Sequence, residues 1–209
     1  EASFADDMPH TSHFFARGTT FHQHFSVHEY TYPSLATIET GMYLQHTGIF
    51  SEWQAIELRE EIITIAERAR SAGYATSNLV GDAIGIYNGV TRGYDRLVVT
   101  PYCTFAHDGT ERTIRCLEGC GDADHFIFLH LNDIHPWNSG LFQIPAAAQM
   151  RLPLVDRLPE AKAHVPSPYL RPSGFYQAAF RQSVHSADRT LGMLFSYIEE
   201  HYDPADYLV

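Results

Sequence analysis

Thr31, Pro33, Ser34 and Gly41 stand in the run Tyr-Thr-Tyr-Pro-Ser-Leu-Ala-Thr-Ile-Glu-Thr-Gly-Met-Tyr-Leu-Gln-His-Thr-Gly, residues 30–48. The pattern predicts a strand end, a sharp turn and a short helix. Pro33 suits the first helical position, since it has no N–H to lose there and its φ is already helical. Thr31 then falls at or just outside the N-cap, where Thr is favoured. Gly41 is the expected stop about two turns later. This places a hydroxyl at the mouth of a helix whose first N–H groups are free, and such a mouth attracts anions. A nucleophile beside an anion site is what phosphoryl or sulfuryl transfer needs. The simpler alternative is that Thr31 only caps the helix.

Other groups could do chemistry too. Asp6 and Asp7 are adjacent acids of the kind that bind divalent cations, but they precede Pro9 with no apolar strand before them, and a solvated loop over 1–9 is expected. His22 and His24 would share a face if 19–27 were a strand, a metal pair by type; the chain holds 13 His, so such pairs also arise by chance. The three cysteines, Cys103, Cys116 and Cys120, are an odd number and no disulfide framework. Cys116 and Cys120 are four apart with no second paired set, and read as free thiols rather than metal ligands. His135 follows a long apolar run and could donate a hydrogen bond to a developing leaving-group oxygen. It could equally be a loop His held by backbone groups.

The run around Thr31 resembles the nucleophile motif of the sulfatases, within the alkaline phosphatase superfamily. That motif reads Cys or Ser, any residue, Pro, Ser, Arg, a short helix ending in Thr-Gly, any residue, Tyr, and a His-Gly shortly after. Thr31 stands at the nucleophile position; Pro33, Ser34, Thr40-Gly41 and Tyr43 match, and His46 is followed by Thr47-Gly48. Two departures matter. Thr cannot become the formylglycine of true sulfatases, and Leu35 replaces the motif's Arg. A Thr nucleophile is similar to that of the superfamily's phosphodiesterases and phosphoryl-headgroup transferases. Further along, Gly93-Tyr94-Asp95 resembles the family's Gly-Phe-Asp, and Asn132-Asp133-Ile134-His135-Pro136 resembles its Asn-Asp-Pro-His-any-Pro, whose His contacts the ester. Asp188 to Gly192 resembles a helical Asp, two residues, Leu or Ile, Gly. Where the family has Gly-Lys-Trp-His, this chain has Gly81-Asp82-Ala83-Ile84, without the Lys and His.

The elements that must position these groups follow from pattern. His10–Ala16 reads as a short helix capped by Thr11 or Ser12, and Thr19–Val27 as a strand. Glu57–Ala72 reads as the clearest helix, with Leu58, Ile62, Ile65, Ala66 and Ala69 on one stripe and Gly73 as its stop. Tyr74–Val80 and Arg96–Thr100 read as strands, and 101–124 as an irregular surface excursion. His125–Leu131 fits a central parallel strand with His135 beyond its carboxyl end. Residues 144–172 hold six prolines and read as an extended connection. Phe175–His201 reads as a long helix, and Tyr207–Val209 as the opening of a strand. Alternating β and α elements give an α/β class with a mostly parallel sheet.

The 209 residues are enough for one substantial domain, and 44% apolar with 19% charged is ordinary for a globular chain. Net charge of −11 argues against a nucleic-acid partner and makes any anion site local. No apolar run of membrane-spanning length occurs. No signal peptide is visible, which favours a cytoplasmic location, although Glu1 is no initiator Met. The resemblance implies a three-layer α/β/α, alkaline-phosphatase-like domain spanning 1–209 and incomplete at both ends. It implies a divalent metal (Zn, Mn or Ca) ligated by Thr31 and by groups outside the chain. It also implies Thr31 and His135 in catalysis, Ser34 at the substrate's oxygens, and a small-molecule or carbohydrate ester as substrate. The expected activity is hydrolysis or transfer of phosphate, phosphonate or sulfate esters through Thr31, with this piece alone inactive. The alternatives are a true carbohydrate sulfatase and a non-catalytic binding or scaffold domain. Oligomeric state is not legible.

Overall fold

The computed structural model describes residues 4–21, 23–52, 56–80, 89–99, 105–134 and 174–209. Three strands, β1 (Ala75–Val80), β2 (Arg96–Val99) and β3 (His125–His130), form a parallel sheet in the order β2-β1-β3. Ser77 of β1 lies opposite Arg96 of β2 and Ile127 of β3. From Thr76 onward β1 is buried, as a parallel strand covered on both faces must be. The helices are α1 (Phe4–Asp7), α2 (Pro9–Phe14), α3 (Thr31–Thr40), α4 (Leu44–Thr47), α5 (Ile65–Ser71), α6 (Phe105–Glu118) and α7 (Gly174–His201). A 3₁₀ turn, Phe15–Arg17, closes α2. Helices α5 and α6 both pack on β1, and α7 packs on α2 and α6. This is the α/β architecture that the alternation of patterns predicts. No helix among the described residues is long and apolar enough to cross a membrane.

Two apolar clusters hold these elements. Tyr32, Ala36, Ile49, Leu58, Ile62 and Val90 pack together beneath α3. Phe105, Leu191, Leu194 and Phe195 join α6 to α7, with Phe14, Ile114 and Leu129 against them. Phe14 stacks on Phe195 with ring centroids 4.2 Å apart.

The helix expected over 57–72 is only its second half. Thr64 and Glu67 form a capping box: the Glu67 N–H donates to Thr64 Oγ1 (3.1 Å) and the Thr64 N–H to Glu67 Oε2 (2.8 Å). Upstream, the Arg92 guanidinium donates to the carbonyls of Leu58, Arg59 and Ile62. Those carbonyls would otherwise accept helical bonds, so residues 56–63 stay turn and loop. Leu58 and Ile62 face the α3 cluster, while Ile65 is 44% exposed. The stripe is thus split: Leu58, Ile62 and Ala66 are buried, while Ile65 faces outward.

Residues 101–124 are not an irregular excursion, because α6 fills much of that span. The pairs Asp108–Arg112 (2.6 Å) and Glu111–Arg115 (2.7 Å) lie one turn apart on it. Gly109 reads as a breaker, yet it sits inside the helix. A Cβ there would come within 2.2 Å of the Phe105 ring, so the glycine makes room for a buried aromatic. The Phe105 N–H donates to Asp133 Oδ2 at 2.8 Å, which ties the start of α6 to the turn after β3.

Four smaller expectations also fail. No strand forms among the described residues of 19–27: Phe21 and Phe25 are 74% and 82% exposed, with no ladder partner beside them. Residues 4–7 are a helical turn rather than loop, and Asp7 lies 4.0 Å from His185 of α7. β1, not β3, is the central strand, and β3 is half-buried along its length. Tyr207–Val209 is not strand, and Leu208 is 99% exposed. Two expectations hold closely. The long C-terminal helix appears one residue longer than read, and α2 starts one residue before the helix read over 10–16 and runs into the 3₁₀ turn, although Thr11 does not cap it. The extended connection read over 144–172 lies outside the described residues.

Thr11 has another use. Asp188 of α7, 1% exposed, accepts from the N–H groups of His10 (3.1 Å) and Thr11 (2.8 Å) and from the Thr11 hydroxyl (2.7 Å). One turn on, a Cβ at Gly192 would meet His10 Cγ at 2.8 Å. The Asp-to-Gly spacing on α7 is therefore a docking device for the N-terminal helix. Burial pushes the Asp188 carboxyl up, but the Thr11 N–H and hydroxyl and the His10 N–H outweigh it and hold the pKa below 3.8. A lowered folded value gives stability that is present above 3.8 and lost as pH falls through the folded value. Asp188→Ala should lower unfolding free energy by about 3 kcal/mol, from orphaned donors and a lost charge-assisted acceptor. Urea denaturation at neutral pH checks the size. The gap from wild type should narrow in acid as the charge-linked part is lost, while the part from the orphaned His10 and Thr11 donors remains.

A second expectation comes from Gly93, whose φ is +91° and whose added Cβ would meet the Glu67 backbone N at 2.2 Å. Gly93→Ala should destabilise by more than about 3 kcal/mol, combining strain with overpacking, or abolish folding. The same denaturation curve measures it.

Candidate functional site

α3 begins at Thr31, with Tyr30 as its N-cap in extended conformation. Pro33 is thus the third helical residue, not the first. It is tolerated because its missing N–H belongs to the first turn, where no intrahelical acceptor exists. Thr31 is half-buried, and no hydrogen bond engages its hydroxyl among the described residues. It does not serve as the cap. The orphan N–H of Tyr32 donates instead to Glu52 Oε2 at 2.9 Å. Ser34 donates its N–H to Tyr30 O (3.3 Å) and its hydroxyl to His28 O (3.0 Å). The helix mouth is therefore partly filled by the chain's own carboxylate and carbonyls.

Glu52 is the group that sequence reasoning missed. It lies 20 residues from Tyr32, and no spacing rule links a loop acid to a helix mouth that far away. Leu35, in the position of the motif's Arg, is 7% exposed and packs inward. It gives the site neither a donor nor a charge.

The other end of α3 is fixed as well. Gly41 takes φ +67° and donates its N–H to Thr37 O at 2.8 Å, the left-handed stop that the Thr-Gly pair predicts. α4 follows and closes the same way at Gly48, φ +75°. Just before Gly41, Glu39 is 2% exposed and accepts a 2.7 Å hydrogen bond from the Tyr94 hydroxyl. Thr31 stands roughly 12 Å along the helix from that bond, at 1.5 Å per residue.

His135 and the stretch Gly81-Asp82-Ala83-Ile84 lie outside the described residues, as does His22. What is described of the Asn-Asp turn is Asp133, 1% exposed and fixed on the Phe105 N–H. The parallel strands all run the same way, and ligands of open α/β sheets bind beyond such carboxyl ends.

A divalent metal implied by the family needs several oxygen or nitrogen ligands. Among the described residues no group of three or more His, Cys, Asp or Glu side chains could hold one. Thr31 and Glu52 at the helix mouth do not complete a set, so the described residues do not fit the ion. Cys116 and Cys120 are free thiols, and Cys120 Sγ donates to Cys116 O at 3.1 Å. A groove of about 830 Å³ lies elsewhere, between α6, β3 and the chain end, lined by Leu117, Ile127, Leu129, Phe195 and Leu208. Neither Thr31 nor Ser34 lines it.

No curated protein matches the chain. The model of one family, described as Sulfatase, matches residues 3–209. That span takes in the helix that starts at Thr31, the parallel sheet and the Asp188 helix. The parallel α/β sheet agrees with an alkaline-phosphatase-like fold. The family's general chemistry is sulfatase-like ester hydrolysis, generally with a divalent metal. The match covers nearly the whole chain, and the chain belongs to the Sulfatase family.

Proposed function

We propose that this chain carries the nucleophile of an ester hydrolase or transferase, that Thr31 is that nucleophile, and that phosphate or phosphonate esters are favoured over sulfates. One observation carries the reading. The Thr31 hydroxyl is unengaged among the described residues, at the first residue of a helix fixed at both ends. A hydroxyl that only capped the helix would be bonded to its N–H groups. The choice of phosphorus rests on residue type: Thr cannot become formylglycine, and Leu35 supplies no cation.

In this reading Thr31 Oγ attacks phosphorus or sulfur in line and forms a covalent ester, while the alcohol departs on the opposite side. His135 gives the departing oxygen its proton. Glu52, whose carboxylate accepts the N–H of the residue after Thr31, is the base proposed to take the Thr31 proton. Ser34 lies on the first turn, where its hydroxyl can turn from His28 O toward the ester oxygens. Water or an acceptor alcohol then takes the group.

One observation favours a second reading, a binding or scaffold domain without catalysis. The Glu52 carboxylate occupies the Tyr32 N–H, so the helix mouth already has an anion.

The test uses the full-length gene product with a phosphodiester, a phosphate monoester, a phosphonate ester and an aryl sulfate, with Zn, Mn, Mg and Ca each supplied. Diester or phosphonate turnover is expected, and Thr31→Ala should lower it by on the order of 10³ or more. Sulfate turnover alone would reverse the substrate assignment. No turnover of any ester would support the scaffold. His135→Ala should cost on the order of 10² with a poor leaving group and far less with a good one. A leaving-group series in both proteins measures that difference in slope.

A further inference from the structure

Glu39 is a carboxylic acid in an apolar position. Its side chain is 2% exposed, on the inner face of α3. One oxygen, Oε1, accepts from the Tyr94 hydroxyl at 2.7 Å, and the other, Oε2, is buried with no hydrogen-bond partner. Tyr94 is itself 9% exposed, and its ring lies against Phe126 of β3 at 6.1 Å. The Tyr94 hydroxyl is what this chain adds to the family's Gly-Phe-Asp, and it is spent on Glu39. Among the described residues no cation offsets a charge at this place.

We propose that Glu39 and Tyr94 form a buried, proton-holding site that ties α3 to the start of β2, and that ionisation of Glu39, by placing a charge in an apolar position, destabilises the fold there. The chemistry is that of a carboxyl group in an apolar site. As an acid it needs little solvation and accepts the Tyr94 hydrogen bond. As a carboxylate it leaves a buried charge with one bare oxygen, which is costly. Burial accordingly raises the Glu39 pKa from 4.5 to about 7, against the lowering effect of the Tyr94 hydrogen bond. Tyr94 is raised in turn, by its own burial first and then by Glu39.

The charged groups of the neighbouring elements do not change this. α4 and α5 are the helices packed on α3. On α4, His46 is exposed; on α5, Arg68 and Arg70 are exposed, and Arg70 pairs with Asp95. Glu67 is engaged by the Thr64 N–H and Arg92. Of all these, Tyr94 alone acts on Glu39 beside burial itself.

The sign follows from linkage. A carboxyl whose folded pKa is raised binds a proton in the folded state that the unfolded chain has already lost. Stability is therefore full below about 4.5, falls as pH rises toward about 7, and is level above. The destabilisation acts at the end of α3 opposite Thr31.

The experiment compares thermal unfolding midpoints of the chain, of Glu39→Gln and of Tyr94→Phe between pH 4 and 9. The Gln variant cannot ionise and still accepts from Tyr94. Its midpoint minus that of wild type should rise by about 5 °C or more between pH 4.5 and 7, then stay constant. Carbon NMR of the labelled Glu39 carboxyl should titrate near neutral pH in wild type and lower in a variant that opens the site. A midpoint difference that does not change with pH, or a Glu39 carboxyl that titrates near 4.5, would overturn the proposal. If the Gln variant does not fold, the carboxyl titration in wild type decides alone. Neither readout uses ester turnover, so the proton-holding site stands or falls apart from the Thr31 assignment.

Discussion

A helix that presents a reactive hydroxyl has to be held so that the hydroxyl does not move with the chain around it. α3 meets this by being pinned at two points, Tyr32 and Glu39, seven residues apart. At its mouth Glu52 takes the Tyr32 N–H, and at its far end Tyr94 donates to Glu39. Between them Tyr32 and Ala36 sink into the apolar cluster with Ile49, Leu58, Ile62 and Val90. Each pin joins the helix to a segment distant in sequence. The helix therefore cannot be formed in its native position until the loop after α4 and the entry to β2 are in place.

That dependence runs through the rest of the domain. The entry to β2 is shaped by Gly93, whose backbone passes so close to Glu67 that no side chain fits. Arg92, beside it, gathers the carbonyls of Leu58, Arg59 and Ile62 and pairs with Glu67 at 3.4 Å. Thr76 of β1 donates its hydroxyl to Gly93 O at 2.6 Å and its N–H to Asp95. The tripeptide Gly93-Tyr94-Asp95 thus serves three neighbours at once: α5, α3 and the central strand. On the other side of the molecule Asp188 and Gly192 do comparable work for α2. Short motifs that look functional in sequence are here the joints of the fold.

The sequence showed its elements where one local cause dominated. α7 has an unbroken helical stripe, β1 follows directly on the helix stop at Gly73, and α3 has a Thr-Gly stop, and all three appear close to their expected bounds. It misled where the deciding contact came from far away. The carbonyls of 58–62 go to Arg92, so a good helical pattern ends as loop. Gly109 makes room for the Phe105 ring, so an apparent breaker lies inside α6. Phe21 and Phe25 alternate like strand residues, but among the described residues no partner strand pairs with them. The same holds at the site. Thr31 was legible from its motif, while Glu52 on the next residue's N–H was not, because a contact across 20 residues leaves no local mark.

The central claim is chemical: Thr31 becomes covalently esterified during turnover. The direct measurement is peptide mass spectrometry of the full-length protein, acid-quenched while turning over a phosphodiester or a phosphonate ester. The account predicts a phosphoryl or phosphonyl group on the peptide that contains Thr31, absent from Thr31→Val. Turnover that persists in Thr31→Val, with no adduct on that peptide in wild type, would contradict it.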